Sequence, residues 1–430
     1  MMLTTTKNIQ LTYLDDDQLG PFARAAVFGF LSVGILIGLG FGKASPISGL
    51  IIPQLSLLFL GVVIGIILLT PRKIIMKIPV SLSVIAFIVW IFFSIGWTNN
   101  AEGTRYNLIQ DIPLFLGAYL VAGVAALDDI KTGLVWMARA TVVLTFIAII
   151  IFPETRLHID PEAFAGGTYP GWHGFFGHKN ILSPILVFAL ITVLVLDKNF
   201  YSRMATALGI VVLLIFSTSG TGLSGAIIAV TFLVWLRIFR DFDARSSSLF
   251  MIASIILGVV FLGGLIASLS SITKAYGKDL TFTGRTDIWA AAISFIQERP
   301  IQGYGFSGLF WSGTSGASPE SYEFWRTIDF RISHVHSGVL DLLIQLGLVG
   351  GFLFGVVYLS TFFKAWNVYD KEPDISLWIV TVLVAQVFMS LSESLFLGGW
   401  LMILLIFKMV VMRIKSDDTG LKKLAEIGVN

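Results

Sequence analysis

Apolar runs long enough to cross a bilayer dominate this chain. A helix needs about 17–25 mostly apolar residues to span a hydrocarbon core about 30 Å thick. About twelve such runs occur, near residues 25–42, 50–70, 79–97, 112–127, 132–152, 181–197, 203–218, 222–239, 250–270, 337–363, 375–391 and 395–412. Only Ser217-Thr218-Ser219-Gly220-Thr221-Gly222 separates the seventh from the eighth, and only Ser392-Glu393-Ser394 the last two. The pattern predicts an all-α polytopic membrane protein whose residues 1–430 form one integral membrane domain. No repeat with a period of 20–50 residues marks a solenoid, and no inverted pair of broken helices marks a transporter.

Two polar stretches interrupt the apolar pattern, at 153–180 and at 271–336. Within the second, Ile288, Trp289, Ala292, Ile293 and Ile296 recur near helical spacing before Pro300. They predict an amphipathic helix over 283–298, lying on the membrane or on the bundle, with a turn forced by Gly303-Tyr304-Gly305. Arg285 falls in its first turn, where the positive end of the helix dipole favours anions and a cation costs up to about 1 kcal/mol. A residue that disfavours its own helix is a candidate for function.

Composition agrees with the membrane reading: 56% of the residues are hydrophobic and 13% charged. A net charge of +2, with basic residues scattered through loops, argues against nucleic acid as a partner. The absence of cysteine removes disulfides, thiolate catalysis and thiolate metal sites. The segment before Ala25 carries Asp15-Asp16-Asp17 and no basic n-region, so the first span reads as a retained anchor.

Loop charge sets the orientation, because Lys and Arg collect in short cytoplasmic loops. With the N terminus inside, the cytoplasmic connections hold Arg72, Lys73, Lys77, Lys131, Lys198, Arg203, Arg237, Arg240, Arg245, Lys364, Lys371 and the basic tail. The opposite short connections hold Lys43 and Arg105. Both termini are therefore expected in the cytoplasm. The stretches 153–180 and 271–336 then face outward, together with the turn around Glu393, and they contain all five histidines. Arg139 and Lys408 lie within spans near the cytoplasmic side and are read as snorkelling.

Several residues combine into a pattern. Arg285 and Trp289 are followed by Pro300, Gly303-Tyr304-Gly305 and then His336, with Gly347 eleven positions beyond. This resembles the O-antigen ligase and Wzy-type polysaccharide polymerase superfamily. Gly177-His178-Lys179-Asn180 is similar to the signature of ExoQ-like exopolysaccharide polymerases, and Glu393 falls where the superfamily often places an acid. Two positions depart from that pattern. Ser337 stands where Asn commonly follows the histidine, and Ser219-Gly220-Thr221 stands where many relatives have Ser followed by Arg, a charge that Lys179 is placed to supply.

The resemblance implies a GT-C-like, inverting, metal-independent glycosyltransferase of the bacterial inner membrane with its active site in the periplasm. Donor and acceptor would both be undecaprenyl-diphosphate-linked oligosaccharides, with no cofactor and with membrane lipids, a flippase and a chain-length regulator as neighbours. Chemistry supports such a site independently. Expelling a diphosphate needs cations where charge develops, and the planar fork of Arg pairs with phosphate oxygens. Arg285 and Lys179 are the candidates, with His178, Asn180 and His334 beside them. A sugar hydroxyl needs a base, for which His336 leads and Glu393 and Asp287 are alternatives.

Blander roles compete at other positions. His158, His173, Arg326 and Arg331 read as headgroup-facing, and His178 and Lys179 stand between substrate contact and interfacial anchoring. Tyr304, Phe306, Phe310, Trp311, Tyr322, Phe324 and Trp325 read by default as a headgroup layer rather than a sugar platform. His334 and His336 alternate without a third ligand in view, so no metal is expected. Two other functions remain open: an O-antigen ligase with lipid A core as acceptor, and a lipid-linked oligosaccharide flippase or transporter.

Overall fold

The computed structural model describes residues 19–39, 60–159, 168–238, 285–310, 317–329 and 331–427. In chain order the helices are α1 (Pro21–Ile37), α2 (Leu60–Leu69), α3 (Leu82–Phe93), α4 (Ala101–Val124) and α5 (Leu127–Ile151). They continue as α6 (Lys179–Leu196), α7 (Phe200–Ser217), α8 (Gly220–Ile238), α9 (Arg285–Glu298) and α10 (Pro319–Ile328). Three more complete the set: α11 (Gly338–Asn367), α12 (Pro373–Met389) and α13 (Gly399–Ile427).

Every predicted span except the ninth coincides with a helix, the second only over its C-terminal half. The ninth, 250–270, and the start of the long polar stretch, 271–284, lie outside the described residues. Among the described residues, six helices, α4 to α8 and α11, are long and apolar enough to cross a membrane. The chain is a polytopic, nearly all-helical membrane protein. One exception is an antiparallel pair of three-residue strands, Leu157–Ile159 with Thr168–Pro170, in the first polar stretch.

Both doubtful helix boundaries are real turns. Ser217 ends α7, Thr218 takes a left-handed conformation (φ 53°), and the Ser219 hydroxyl accepts the Gly222 N–H at the start of α8. At the other, α12 stops at Met389 and the Glu393 N–H donates to Met389 O (2.9 Å), so Glu393 hangs from the end of a span.

The described part of the second polar stretch, 285–310, 317–329 and 331–336, forms a small helical cap with its own core. Ile288, Ala292 and Phe295 of α9 pack with Phe324 and Trp325 of α10 and with Tyr304. The buried face of α9 is thus turned from the expected one: Phe295 is inside and Ile293 is 47% exposed. The aromatics expected in a headgroup layer are corrected too. Tyr304, Phe306, Phe324 and Trp325 are buried, with Phe295 and Phe324 packed edge to face at 5.0 Å. Ring burial in a dry core outweighs interfacial placement when a cap helix offers an apolar face. Tyr322 does remain exposed, and Trp311 lies outside the described residues.

The cap is joined to the membrane bundle at a break in α11. Gly347 leaves helical geometry (φ 65°, ψ −170°), which frees main-chain groups on both sides. Five of them find partners in other segments. Tyr304 N–H donates to Ile344 O (2.9 Å), Gly305 N–H to Gln345 O (2.8 Å) and the Trp90 indole to Leu346 O (3.0 Å). In the other direction, Leu348 N–H donates to Pro300 O (2.8 Å) and Val349 N–H to Ile301 O (3.3 Å). A Cβ at Gly347 would collide with Ile301 O, and one at Gly303 would sit 2.6 Å from Gln345 O. The glycines are required by close main-chain approach as well as by positive φ. Because protein groups consume the freed donors and acceptors, this break is unlike the open, ligand-facing breaks of transporters.

Lys408 does not snorkel. It is 2% exposed within α13, and its ammonium donates to the Ser360 hydroxyl at 2.6 Å. Arg139 pairs with Asp197, at the C-terminal end of α6, at 2.8 Å.

Candidate active site

Glu393 is the residue on which the site converges. Its carboxylate, 4% exposed, receives Arg285 Nη2 on Oε1 at 2.7 Å and stands 3.3 Å from His336 Nδ1 through Oε2. Three residues from three separate segments, the start of α9, the entry to α11 and the turn after α12, therefore meet on one buried acid. A buried carboxylate is stable only when its oxygens are satisfied, and here both are.

Local structure explains how each side chain arrives. Gly338 N–H donates to Ser390 O at 2.7 Å, which seats the start of α11 against the end of α12 and brings His336 beside Glu393. Ser337 is the N-cap of α11, its side chain accepting the Leu340 N–H (3.5 Å). Ser and Asn cap helices about equally well, so the first departure from the superfamily pattern preserves the role. His336 itself has φ 52°, a left-handed conformation costing a non-glycine residue roughly 1–2 kcal/mol. The Trp289 indole donates to Val335 O (3.1 Å) and fastens α9 to the histidine segment. That contact gives Trp289 of the motif a physical role.

His334 lies against His336, with ring centroids 4.1 Å apart, and its Nδ1 accepts the His336 N–H at 3.3 Å. Burial, reinforced by the neighbouring His336, pushes His334 down to about 3. It is neutral at physiological pH and serves as an acceptor. The ligand atoms of His334, His336 and Glu393 lie within 4.8 Å of one another, so Glu393 supplies the third ligand that the spacing of the histidines could not. Such a His, His, carboxylate set suits a dication, although one Glu393 oxygen is already taken by Arg285.

A second polar cluster flanks the first. His178 caps α6, its Nδ1 accepting the Asn180 N–H at 3.0 Å, and its charge bears on His334. Lys179 Nζ donates to Thr218 Oγ1 (3.4 Å), so the ammonium reaches the α7–α8 turn to which it was expected to supply charge. Asn180 Oδ1 accepts the Ser219 hydroxyl (3.1 Å), and Thr221 meets Ser392, next to Glu393, at 2.8 Å. A seam of hydroxyls thus runs from the start of α6 to the central acid.

Asp287 does not join this assembly. It is exposed on the first turn of α9, where a carboxylate offsets the dipole that Arg285 opposes. One residue was missed by sequence reasoning. Asp341, one turn into α11, is 6% exposed, hydrogen-bonds Gln345 (3.0 Å) and lies against the Val335 N–H, bracing the histidine segment from behind. An acid inside an apolar helix was the signal available. His173, expected at the headgroups, is half-buried and bonded through Nδ1 to Gly174 O (2.9 Å), and burial lowers its affinity for a proton.

Comparison with known proteins fits this geometry. A family model described as O-antigen ligase (Wzy_C) matches residues 204–355, which include Arg285, His336 and Gly347. The exopolysaccharide production protein ExoQ of Rhizobium meliloti (strain 1021) is 25% identical over 339 residues, covering 75% of this chain and 74% of the relative. The chain is thus similar to the O-antigen ligase family over residues 204–355 and to ExoQ over three quarters of its length. The family match ends before Glu393.

Proposed function

We propose that this chain is a metal-independent, inverting GT-C-like glycosyltransferase of the bacterial inner membrane. It polymerises undecaprenyl-diphosphate-linked oligosaccharide units at the periplasmic face. What supports this reading is one fact of geometry: Arg285 and His336, the two positions that carry the family resemblance, share a single buried carboxylate. In this orientation both termini are cytoplasmic, and the segments 153–180 and 271–336 are periplasmic.

The acceptor hydroxyl loses its proton to His336 Nε2 while its oxygen attacks the anomeric carbon of the donor sugar. The bond from that carbon to the diphosphate oxygen breaks on the opposite face, which inverts the configuration. Glu393 holds the imidazole through Nδ1 and balances the positive charge formed on it. Arg285 uses one nitrogen to hold Glu393 and retains others for the departing diphosphate. Lys179, on the first turn of α6, adds a second cation where a helix N terminus already favours anions. Asn180, His178 and His334 line the path between these groups, and Asp287 is left as a surface residue. Chain-length regulators and flippases would act on the same lipid carriers.

A second reading, transfer to lipid A core, is favoured by the description of the matching family model as O-antigen ligase. A reconstituted assay separates the two. Purified protein given lipid-linked repeat units alone should make polymer of high mass, and Arg285→Ala and His336→Ala should abolish it. Product formed only when lipid A core is added makes the chain a ligase. Full polymer from both variants removes the site from consideration. Movement of substrate across the membrane with no new glycosidic bond would leave the flippase reading.

A further inference from the structure

His334, His336 and Glu393 do more than hold one another in place. Their ligand atoms, two imidazole nitrogens and a carboxylate oxygen, lie within 4.8 Å of one another. The closest printed pair of acceptor groups, His336 Nδ1 and Glu393 Oε2, is 3.3 Å apart. That is about the spacing of two ligands around a tetrahedral zinc ion, whose bonds to nitrogen and oxygen are about 2.0–2.2 Å long. The His334 ring already lies against His336, with centroids 4.1 Å apart, so a small rotation brings a third ligand to the same point. Both histidines keep some exposure, which leaves a path for an ion and for a water as fourth ligand.

Arg285 decides what kind of site this is. Its guanidinium holds Glu393 Oε1 at 2.7 Å, a fixed positive charge on the carboxylate that a dication would share. Repulsion between the two keeps the affinity low, so the set suits an ion that comes and goes rather than a permanent structural metal. The donors also select among ions. Two imidazole nitrogens favour zinc and its neighbours, whereas magnesium takes oxygen ligands. The effect of such an ion follows from the tautomer of His336. In the proposed reaction Nδ1 carries the ring proton toward Glu393, and Nε2 keeps the lone pair that receives the acceptor's proton. An ion on Nδ1 takes the lone pair of that nitrogen, so the ring proton moves to Nε2 and no base remains. The proton is relocated within the ring, with none gained or lost.

We propose that His334, His336 and Glu393 form a reversible binding site for a zinc-class dication, and that the ion switches the site off by occupying His336 Nδ1. Binding follows from geometry alone; inhibition rests on the proposed reaction, whose own chemistry needs no metal.

The test uses the full chain, free of affinity tags, in nanodiscs. Zinc uptake is measured by equilibrium dialysis, and cobalt as a probe reports tetrahedral coordination through its visible absorption. Wild-type protein should take up one ion per chain saturably. His334→Gln should weaken binding at least about tenfold, the cost of losing even an outer partner of a metal site. His173→Gln, outside the cluster, should leave it unchanged. Arg285→Ala should tighten binding severalfold, a gain that damage to the fold would not produce. In the polymerisation assay zinc should arrest wild-type protein, a chelator should restore it, and magnesium should not inhibit. No saturable uptake, or uptake unaltered in both His334→Gln and Arg285→Ala, overturns the site. Uptake without loss of polymer overturns the inhibition. Absence of polymer before zinc is added counts against the proposed reaction instead, and the dialysis then judges the site by itself.

Discussion

The two ends of α11 hold buried charge in opposite ways. At the start, one carboxylate is saturated by a guanidinium and an imidazole, and every contact is drawn from a different part of the chain. Toward the far end, the buried Lys408 ammonium donates to a neutral hydroxyl, that of Ser360. A fully matched buried set is rigid and keeps reacting groups in register. The same helix therefore carries a preorganised cluster at one end and a single charged contact at the other.

Removing the matched set should give the largest effects. Arg285→Ala and His336→Ala are expected to lower polymer formation roughly 10²–10⁴-fold in the reconstituted assay. Glu393→Gln should fall in the same range while leaving protein level unchanged, because an amide neither orients nor charges the imidazole equally. If Glu393→Gln retains full activity, the acid is only structural and the contrast between the two ends fails.

The break that joins cap to bundle comes next. Gly347→Ala should cost at least about 2 kcal/mol, through lost main-chain bonds and a forced positive φ, seen as a lower melting temperature. A melting point equal to wild type would mean that the Pro300–Ile301 contacts are dispensable.

His334 gives a pH test. Its proton affinity is lowered in the folded state to about 3, below the ordinary value of 6.5, so the unfolded chain binds the proton more readily. Its contribution to stability should be complete above about pH 6.5 and fade as pH falls toward 3. His334→Asn should flatten that part of the profile in thermal unfolding from pH 7 to 4. The smallest effect is expected at the cap of α11. Ser337→Asn should be near neutral, whereas Ser337→Ala should cost about 1 kcal/mol.

What sequence alone made legible divides along physical lines. Spans were readable because apolar length is local, and Arg285 and His336 because motif spacing survives in one dimension. Glu393 was visible as an acid where the superfamily often places one and as an alternative base; its central place depends on Gly338 docking on Ser390, a contact between distant segments. Asp287 was misjudged because adjacency to Arg285 does not set which side of a helix faces inward. The buried aromatics were misplaced because the cap builds a core that no single stretch reveals. Lys408 looked like a snorkelling residue until its neighbours were placed around it.

The break at Gly347 also explains why eleven positions separate it from His336. The first segment of α11 is clamped at both ends, by Ser390 at one and by the Pro300–Gly305 strip at the other, so its length acts as a gauge. Each residue added to it would swing the imidazole about 100° around the helix axis. A single insertion would point it away from Glu393 while leaving every apolar surface nearly as buried as before.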